Sequence, residues 1–332
     1  MNSKRWWAIL IAGTIFIFSV IINFASMAFS TNFSKLWGDA FEEWSEKTIE
    51  EGSVTKKIAI IDLDGVIQDN GDVTSIWSSG GYNHKLFMEQ LNHAKDDNAT
   101  KAIILRVNTP GGGVVESAEI HRKIVQIQEE TKKPVYVSMG GIAASGGYYV
   151  SAPADKIFAS PETMTGSLGV IMQGTNYGEL AKKLGVDFVT IKSGEYKDIM
   201  SQTREMTEAE RNIMKSMLDN SFNGFVKVIA EGRNMPEERV REIADGRIYD
   251  GRQAKELDLI DDFGYLEEVI EAIRADYSLD GASVVRYGAY SGFPSLFGTA
   301  MQKITGKEGE MFGAFKMLTQ PNSPRLMYLY AE

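Results

Sequence analysis

The sequence predicts an α/β protein with a largely parallel sheet, preceded by one apolar segment long enough to cross a membrane as a helix. Three observations support this fold class. From Lys57 onward, short apolar runs alternate with stretches of helical periodicity. Two of these runs lead directly into glycine-rich turns that are followed by a helix-like segment. The run from Trp6 to Phe29 is almost wholly apolar and contains no charged residue.

The composition excludes several classes of protein. A chain of 332 residues can form one large domain or two ordinary ones. Its net charge of −10 argues against a nucleic-acid partner, which would need a basic surface. The chain has no cysteine, so it cannot form a disulfide, a thiol nucleophile or a cysteine metal site, and we expect neither a cofactor nor a metal ion. The histidines are few as well: His84, His93 and His121.

The apolar run 6–29 predicts an uncleaved anchor, because its length suffices to span a hydrocarbon core of about 30 Å as a helix. Lys4 and Arg5 precede the run and acidic residues follow it, so the positive-inside rule places residues 1–5 in the cytoplasm and the rest outside. The alternative is a signal peptide cleaved after Ser26-Met27-Ala28. The apolar core exceeds the roughly 7–15 residues usual for signal peptides, which favours a single-pass protein of the cell membrane.

Aromatic residues recur every three to four positions after the anchor: Phe33, Trp37, Phe41 and Trp44. With acidic residues between them, they predict an amphipathic helix in a juxtamembrane segment, 30–56. Such a helix could lie at the membrane surface or pack against a neighbouring subunit as a stalk, and the sequence leaves both open. The main folded domain is expected over 57–290, followed by an irregular tail over 291–332.

Apolar runs predict the strands of the domain, which are expected at Ile58–Leu63, Ala102–Val107, Val135–Ser138, Lys156–Ala159, Leu168–Met172 and Phe188–Ile191. Helical periodicity predicts helices at Lys85–Ala94, Val114–Glu129, Tyr177–Leu184, Thr207–Gly232, Pro236–Ala244 and Tyr265–Tyr277, with a short one after Gly251. The longest helix is expected to begin at Thr207, because Glu210 follows it in the spacing of a capping box.

One serine stands in the turn after the run Val135–Ser138. The segment 139–149 reads Met-Gly-Gly-Ile-Ala-Ala-Ser-Gly-Gly-Tyr-Tyr, and its serine, Ser145, lies between two glycine pairs. Glycines permit a sharp turn and the close approach of another chain. A serine at such a strand-to-helix turn places its hydroxyl beside unpaired N–H groups, as a nucleophile requires. A helix-capping serine fits the same pattern, and this stretch alone does not separate the two interpretations.

Two other motifs follow predicted strands. The turn Asn-Thr-Pro-Gly-Gly-Gly over 108–113 could bind an anion, or it could admit an extended peptide and supply an oxyanion donor. It lacks the Lys-Ser/Thr pair of a nucleotide P-loop. The run Asp62-Leu63-Asp64-Gly65-Val66 resembles the first motif of haloacid-dehalogenase-type phosphatases. A strand that ends in an Asp-Gly turn explains this run better, because no partner motif follows.

A serine nucleophile needs a base, and Lys197 is the candidate outside the histidines, which all fall on predicted helices. Ser-Lys dyads are a known variant of the catalytic triad. A lysine acts as a base only where burial lowers its pKa toward neutrality. Apolar neighbours such as Ile199 and Met200 would provide that burial, on the condition that Glu195 and Asp198 point elsewhere.

Four segments occur in a fixed order along the chain: the glycine turn after Ile103–Val107, the serine turn 144–149, the segment Thr165–Val170 and the segment Gly194–Ser201. Together they resemble the signal peptide peptidase A family, membrane-bound serine proteases with a Clp-protease/crotonase fold built on a repeated ββα core. The likeness extends from about Ile58 to Asp261. The chain departs from the family at Asp258, where a glycine usually ends a short helix.

The resemblance implies roles for individual residues. Ser145 would be the nucleophile and Lys197 the general base, while Ser167 would orient the lysine through a hydrogen bond. Gly112 matches the oxyanion-hole donor in the first glycine turn, and the N–H of Gly146 would be the second donor. The resemblance further implies that this chain is a half-length member of the family and that such chains assemble into a ring. The serine and the lysine of each dyad would then come from neighbouring protomers, and the domain 57–290 would be the protease domain.

The implied activity is that of a serine endopeptidase for hydrophobic peptides, chiefly signal-peptide remnants left after protein export. Three alternatives stay open: a crotonase-type acyl-CoA enzyme, another membrane protease of the Clp class that works with a scaffold partner, and a membrane scaffold without activity. The C-terminal run Leu326–Tyr330 is itself apolar and extended, like such a substrate. It could occupy the active-site groove, or it could be a strand packed on the domain or a disordered end.

Overall fold

The structure is a computed structural model that describes residues 44–69, 82–289 and 326–330, together with positions 6–7, 13–14 and 16–19. Its strands are β1 Trp44–Glu50, β2 Ser53–Asp64, β3 Thr100–Thr109, β4 Gly111–Gly113, β5 Val135–Ala144, β6 Lys156–Ala159, β7 Met164–Gly166, β8 Ile248–Tyr249, β9 Asp262–Phe263, β10 Ala282–Ala289 and β11 Met327–Leu329. Its helices are α1 His84–Asp96, α2 Val114–Thr131, α3 Gly146–Ser151, α4 Gly178–Lys183, α5 Glu208–Gly232, α6 Glu237–Ile243, α7 Gly251–Glu256 and α8 Leu266–Tyr277. The prediction of a mixed α/β fold with a central sheet is confirmed.

Nine of the described strands form one sheet in the order β1-β10-β2-β3-β5-β6-β9, and β7 joins the end of β5 to β8. Strands β10, β2, β3, β5 and β6 run parallel, while β1 runs antiparallel to β10 at one edge. A second sheet pairs β11 with β4 in antiparallel orientation. Because parallel strands end at the same edge, the turns after β2, β3 and β5 lie side by side, where open α/β sheets bind their ligands.

Alternate side chains of β2 point to opposite faces of the sheet, and helices cover both faces. Ile58 and Ile60 belong to a core with α8, whereas Ala59, Ile61 and Leu63 belong to a larger core with α1, α2 and α5. All of these side chains are fully buried. A strand that is buried on both faces has a continuous apolar sequence, which explains why these strands could be predicted.

Capping boxes begin two of the helices. The Thr207 hydroxyl accepts a hydrogen bond from the Glu210 N–H, and the Glu210 carboxylate accepts one from the Thr207 N–H, so α5 begins where predicted. Asp250 and Gln253 form the same arrangement at the start of α7. After α7, Asp258 has a φ of 58°. The position that departs from the family therefore adopts the left-handed conformation that glycine favours.

Two predicted strands are wrong. Residues 168–172 form no strand, although Ile171 makes an isolated bridge to Met327. Residues 188–191 form no strand either, and Val189 and Ile191 are 88% and 96% exposed. An apolar run becomes a strand only where a neighbour supplies ladder hydrogen bonds. None of the described strands pairs with residues 188–191.

The prediction of a helix through Trp44 is also wrong, because this residue begins strand β1. Its ring centroid lies 4.7 Å from that of Tyr287 and 4.9 Å from that of His93. Pairing with the distant strand β10 therefore overrides the local helical periodicity. Residues 30–43 of the predicted juxtamembrane segment lie outside the described residues.

The predicted anchor 6–29 lies largely outside the described residues, as do the expected cytoplasmic tail 1–5 and most of the C-terminal tail. The described positions between 6 and 19 are helical. Among the described helices, none combines the length and the apolar character needed to cross a membrane.

Candidate active site

Ser145 lies at the carboxyl end of β5, where the chain turns into α3. Its backbone has φ 52° and ψ −111°, and its side chain makes no capping hydrogen bond to the helix. Its N–H donates to Gly166 O at 2.8 Å. A sparsely populated conformation of this kind costs about 1–3 kcal/mol in a residue other than glycine, and such residues cluster at functional sites. The helix-cap interpretation of Ser145 is therefore wrong.

The glycine turn 111–113 passes directly against the residue after the serine. A methyl group on Gly111 would stand 2.6 Å from Gly146 N and 2.0 Å from Tyr328 O. A methyl group on Gly112 would stand 1.9 Å from Ile67 O. Only glycine permits such approaches. The two glycine-rich turns of the sequence therefore meet at one point.

The N–H of Gly112 points toward the C-terminal strand β11. On the opposite side of β4, the Ile67 N–H donates to Gly111 O at 2.9 Å and the Gly113 N–H donates to Ile67 O at 2.8 Å. Successive residues of an extended strand direct their N–H groups to opposite sides. The Gly112 N–H therefore faces Tyr328, its partner in the antiparallel register.

Strand β11 occupies a peptide groove beside the serine turn. It pairs with β4 on one side, and on the other Met327 exchanges two backbone hydrogen bonds, each 3.0 Å, with Ile171. Tyr328 O lies against Gly146, where an added methyl group would stand 3.0 Å from it. The predicted oxyanion donors Gly112 and Gly146 are thus brought around one carbonyl group of an extended peptide.

The Tyr328 side chain fills an aromatic pocket in this groove. Its ring stacks on Tyr149 with centroids 4.8 Å apart and lies 4.6 Å from the ring of Phe225. Its hydroxyl donates to Ser221 O at 3.1 Å, and burial raises the pKa of Tyr328 well above its usual value. The run Leu326–Tyr330 is therefore both a packed strand and an occupant of the groove.

Ser167 follows β7, which pairs with the end of β5. Because Gly166 O accepts the Ser145 N–H, Ser167 stands one residue from direct contact with the serine turn. It has a φ of 50°, and its N–H donates to Arg247 O at 2.7 Å. It lines a cavity of about 480 Å³ together with Ile171 and residues of the C-terminal strand. A base that entered this cavity would meet Ser167.

Lys197 does not reach this cluster within one chain. It lies in the turn 192–201, where its side chain is exposed and its N–H donates to Gly194 O at 3.2 Å. Its ammonium group has no hydrogen bond or ion pair with any described residue. The structure thus brings the other four predicted site residues together and leaves the predicted base outside.

The acidic neighbour Asp198 is paired with two cations other than Lys197. Asp198 accepts hydrogen bonds from Lys192 Nζ at 2.6 Å and from Arg204 Nη2 and Nε at 2.8 Å and 2.9 Å. The bonds from Arg204, followed by that from Lys192, hold the pKa of Asp198 well below its usual range. Glu195 is exposed, and its carbonyl oxygen accepts from Lys192 at 2.7 Å.

The three histidines contact groups other than the Ser145 hydroxyl. The two ring nitrogens of His84 lie 2.6 Å from the Tyr82 hydroxyl and 2.8 Å from Glu119. His93 and His121 pack against aromatic rings. In the described part of the chain, none of the three is hydrogen-bonded to the predicted nucleophile.

The motif Asp62–Asp64 forms structural contacts at the end of β2. Asp64 accepts a hydrogen bond from Asn108 at 2.9 Å, and Asp62 lies 3.4 Å from Arg286. Gly65 then turns the chain with a φ of 90°. The interpretation as a strand that ends in an Asp-Gly turn is confirmed.

Comparison with known proteins defines the class of this protein. The model of Peptidase family S49 matches residues 127–280, and the Clp protease model matches residues 77–169. Both matches cover the serine turn, which borders a groove that holds an extended peptide. The chain is a serine peptidase with a Clp-protease-like α/β fold, and this class membership disfavours the acyl-CoA enzyme and the inactive scaffold.

Individual relatives define the family more narrowly. The chain is 38% identical to the putative signal peptide peptidase SppA of Enterococcus faecium over 344 residues, which cover 99% of each chain. It is 41% identical to a putative protease of Synechocystis sp. over 68% of this chain and 74% of that protein. Its 32% identity to Protease 4 of Haemophilus influenzae covers 67% of this chain and 35% of that protein. The chain belongs to the signal peptide peptidase A family.

Proposed function

We propose that the protein is a membrane-anchored serine endopeptidase that hydrolyses hydrophobic peptides, chiefly remnant signal peptides, with Ser145 and Lys197 as a catalytic dyad. The strongest support is the strand β11, held between β4 and Ile171 with the Tyr328 carbonyl beside the serine turn. Main-chain pairing of this kind binds peptides of many sequences. A peptidase for varied signal-peptide remnants needs such a groove.

The proposed reaction is acyl transfer. Neutral Lys197 takes the proton from Ser145 Oγ, which attacks the scissile carbonyl carbon. The N–H groups of Gly112 and Gly146 stabilise the oxyanion of the tetrahedral intermediate, and the Ser167 hydroxyl orients the lysine. The protonated lysine then gives its proton to the leaving amine. A water molecule finally hydrolyses the acyl ester on the serine.

In this proposal a neighbouring protomer supplies the lysine. Lys197 has no side-chain partner among the described residues of its own chain, and the segment before it exposes apolar side chains. Leu184, Val189 and Ile191 are 72%, 88% and 96% exposed. Apolar surface of this extent marks an interface. A head-to-tail contact repeated around a closed ring would join the serine of each protomer to the lysine of the next.

We also propose that residues 6–29 anchor the protein, with residues 1–5 in the cytoplasm and the protease domain outside. The uncharged apolar run and the basic residues before it support this orientation. The groove would then lie near the outer membrane surface, where signal peptides remain after export. Protease protection of intact cells or inverted vesicles reports which side of the membrane carries the domain.

A serine-directed acylating probe tests the nucleophile. The wild-type protein in detergent should be labelled and should cleave a synthetic signal peptide, whereas Ser145→Ala should do neither. Ser151→Ala is the matched control, because Ser151 lies on the same turn-and-helix unit and donates to Gly147 O. Labelling that persists in Ser145→Ala would reject the proposed nucleophile.

Mixing two inactive variants tests whether the dyad spans two subunits. Ser145→Ala keeps the lysine, and Lys197→Ala keeps the serine. When the two variants are co-assembled in equal amounts, roughly a quarter of the interfaces should join an intact serine to an intact lysine. Recovery of activity to about that fraction supports a shared site. A mixture that stays inactive, although size measurements show co-assembly, contradicts it.

We propose further that the C-terminal strand β11 is a built-in occupant of the groove that the enzyme can trim. Its antiparallel pairing with β4 supports this hypothesis. Intact-mass measurement should show a shorter C-terminus in the wild type than in Ser145→Ala. Identical masses would count against trimming. The strand could then act as a gate that blocks the groove, and in that case deletion of residues 326–332 should raise peptide turnover.

A further inference from the structure

The turn that carries Lys197 is tied to the fold through an arginine. Arg204 donates to both carboxylate oxygens of Asp198, from Nε at 2.9 Å and from Nη2 at 2.8 Å. The same guanidinium donates from Nη1 to Glu210 Oε2 at 2.8 Å and from Nη2 to Glu210 Oε1. Such two-pronged contacts fix direction as well as distance. Arg204 therefore sets the position of the residue next to the predicted base.

Through Glu210 this contact continues into the wall of the peptide groove. The Glu210 carboxylate is 2% exposed and closes the capping box at the start of α5. Farther along the same helix, Phe225 and the carbonyl of Ser221 contact the ring and the hydroxyl of Tyr328. The lysine turn and the aromatic pocket are thus attached to one helix.

The charges of this cluster balance without Lys197. Two carboxylates, Asp198 and Glu210, face two cations, Arg204 and Lys192. Lys192 Nζ lies 2.6 Å from Asp198, Arg204 Nε lies 2.9 Å from Asp198, and Arg204 Nη1 lies 2.8 Å from Glu210. The Arg204 bonds lower the pKa of Glu210 to about 2, so both acids are ionised at neutral pH. Lys197 is left without a counter-ion among the described residues.

Other charged groups near the cluster do not replace this arrangement. Glu205 and Arg211 line the same surface cavity as Arg204. Glu195 is exposed on the turn, where its carbonyl oxygen engages Lys192. Asp198 is the carboxylate nearest to Lys197 in sequence, and Arg204 is the principal partner of Asp198.

We propose that Arg204 is a positioning residue for Lys197, which holds its turn against α5 and keeps the Asp198 carboxylate away from the lysine. Without Arg204, Lys192 would be the remaining bonded cation among the described residues that competes with Lys197 for Asp198. An opposite charge at close range favours the protonated lysine, which cannot accept the serine proton. This inference rests on the proposed Ser145–Lys197 dyad and adds a residue that governs the protonation of its base.

The pH dependence of peptide cleavage tests the proposal. Arg204→Gln should lower kcat/KM at pH 7 about tenfold or more and move the acid limb of the pH profile upward by about one unit, because the lysine now pairs with a carboxylate. The matched control is Arg239→Gln on α6, since Arg239 forms an exposed ion pair with Glu242 at 2.9 Å. The control should keep the wild-type profile. An unchanged acid limb in Arg204→Gln overturns the proposal.

A second substitution separates charge from position. In the double variant Asp198→Asn/Arg204→Gln the competing carboxylate is gone, so the acid limb should return to that of the wild type. The rate above that limb should stay about tenfold low, because the turn remains untied. An acid limb as high as that of the single variant would show that Asp198 is not the competing group, and it would overturn the proposal.

If Arg204→Gln fails to fold because Glu210 loses its cation, Arg204→Lys tests the same proposal. Lysine keeps the positive charge but lacks the fork that holds two carboxylates. The expected result is a several-fold lower kcat with an unchanged acid limb, and wild-type kinetics would overturn the positioning role. Failure of the dyad itself has a different signature, because Lys197→Ala would then remain active whatever the Arg204 variants show.

Discussion

The two halves of the proposed site are built in opposite ways. Ser145 is 1% exposed, and paired strands and closely approaching glycines surround its turn. Lys197 is exposed on a turn without strand or helix, and its sequence neighbour is tied to α5 by Arg204. The first half depends on core packing, whereas the second depends on charged contacts at the surface.

This difference shows which part of the site a single chain completes. The packing around Ser145 over-determines the backbone, which is how a protein retains a strained residue. Among the described residues, the turn of Lys197 has no comparable packing, and apolar side chains before it are open to solvent. In the proposed ring, another protomer supplies the surface that buries the lysine.

The largest expected effect is the loss of activity when either half is removed. Ser145→Gly and Lys197→Ala should each lower kcat/KM by at least about 10³-fold. Their effects on stability should differ. Glycine relieves the φ of 52° and should raise the free energy of unfolding by about 1 kcal/mol, whereas Lys197→Ala should change it by less than about 0.5 kcal/mol. Urea denaturation measures the free energy of unfolding of both variants. A lower value for Ser145→Gly than for the wild type would contradict the proposed difference between the two halves.

Matched glycine substitutions probe the packing of the two turns. In Gly111→Ala the new methyl group would stand 2.0 Å from Tyr328 O at a φ of 100°. We expect a loss of about 2–4 kcal/mol in the free energy of unfolding and about 10² in kcat. Gly194→Ala meets no atom within 4 Å, so it should change stability by less than about 0.5 kcal/mol. Equal effects would refute the contrast.

Charged substitutions on the exposed apolar segment should disturb assembly without unfolding the chain. Val189→Asp/Ile191→Asp alters side chains that are 88% and 96% exposed, so the free energy of unfolding should change by less than about 0.5 kcal/mol per site. Sedimentation should show smaller assemblies, and cleavage should fall about tenfold. Val54→Asp, at a side chain 82% exposed on β2, is the control that should behave as wild type. Normal assembly of the double variant would contradict the proposed interface.

The smallest expected effect is a local response to acid. Bonds from Arg204 hold the pKa of Glu210 at about 2, below its value in an unfolded chain. A lowered folded pKa stabilises the structure above the unfolded pKa of about 4, and this contribution is lost as the pH falls toward 2. Amides of 198–210 should therefore lose protection from hydrogen exchange as the pH falls from about 5 to about 2, and those of 144–149 should not. Glu210→Gln should abolish the difference.

Features with local signals could be predicted from the sequence. Strand β6 spans Lys156–Ala159 as expected, and α5 begins after Thr207, since an apolar run and a capping box involve only neighbouring residues. Ser145 and the glycine turn 111–113 were recognisable for the same reason. Glycine pairs around a serine are needed locally, whatever packs against them.

Only the tertiary structure decided the features that depend on distant partners. Trp44 lies in a strand rather than a helix because β10 offers it an edge, and Tyr328 enters a pocket between Tyr149 and Phe225 that no local pattern connects. The exposure of Lys197 also depends on distant partners. Its apolar neighbours predicted burial, but burial requires a facing surface, and the described part of this chain provides none. The sequence by itself determined the glycine-rich turn of Ser145, and tertiary packing decided that the proposed base, Lys197, lies outside it, because packing acts between residues far apart along the chain.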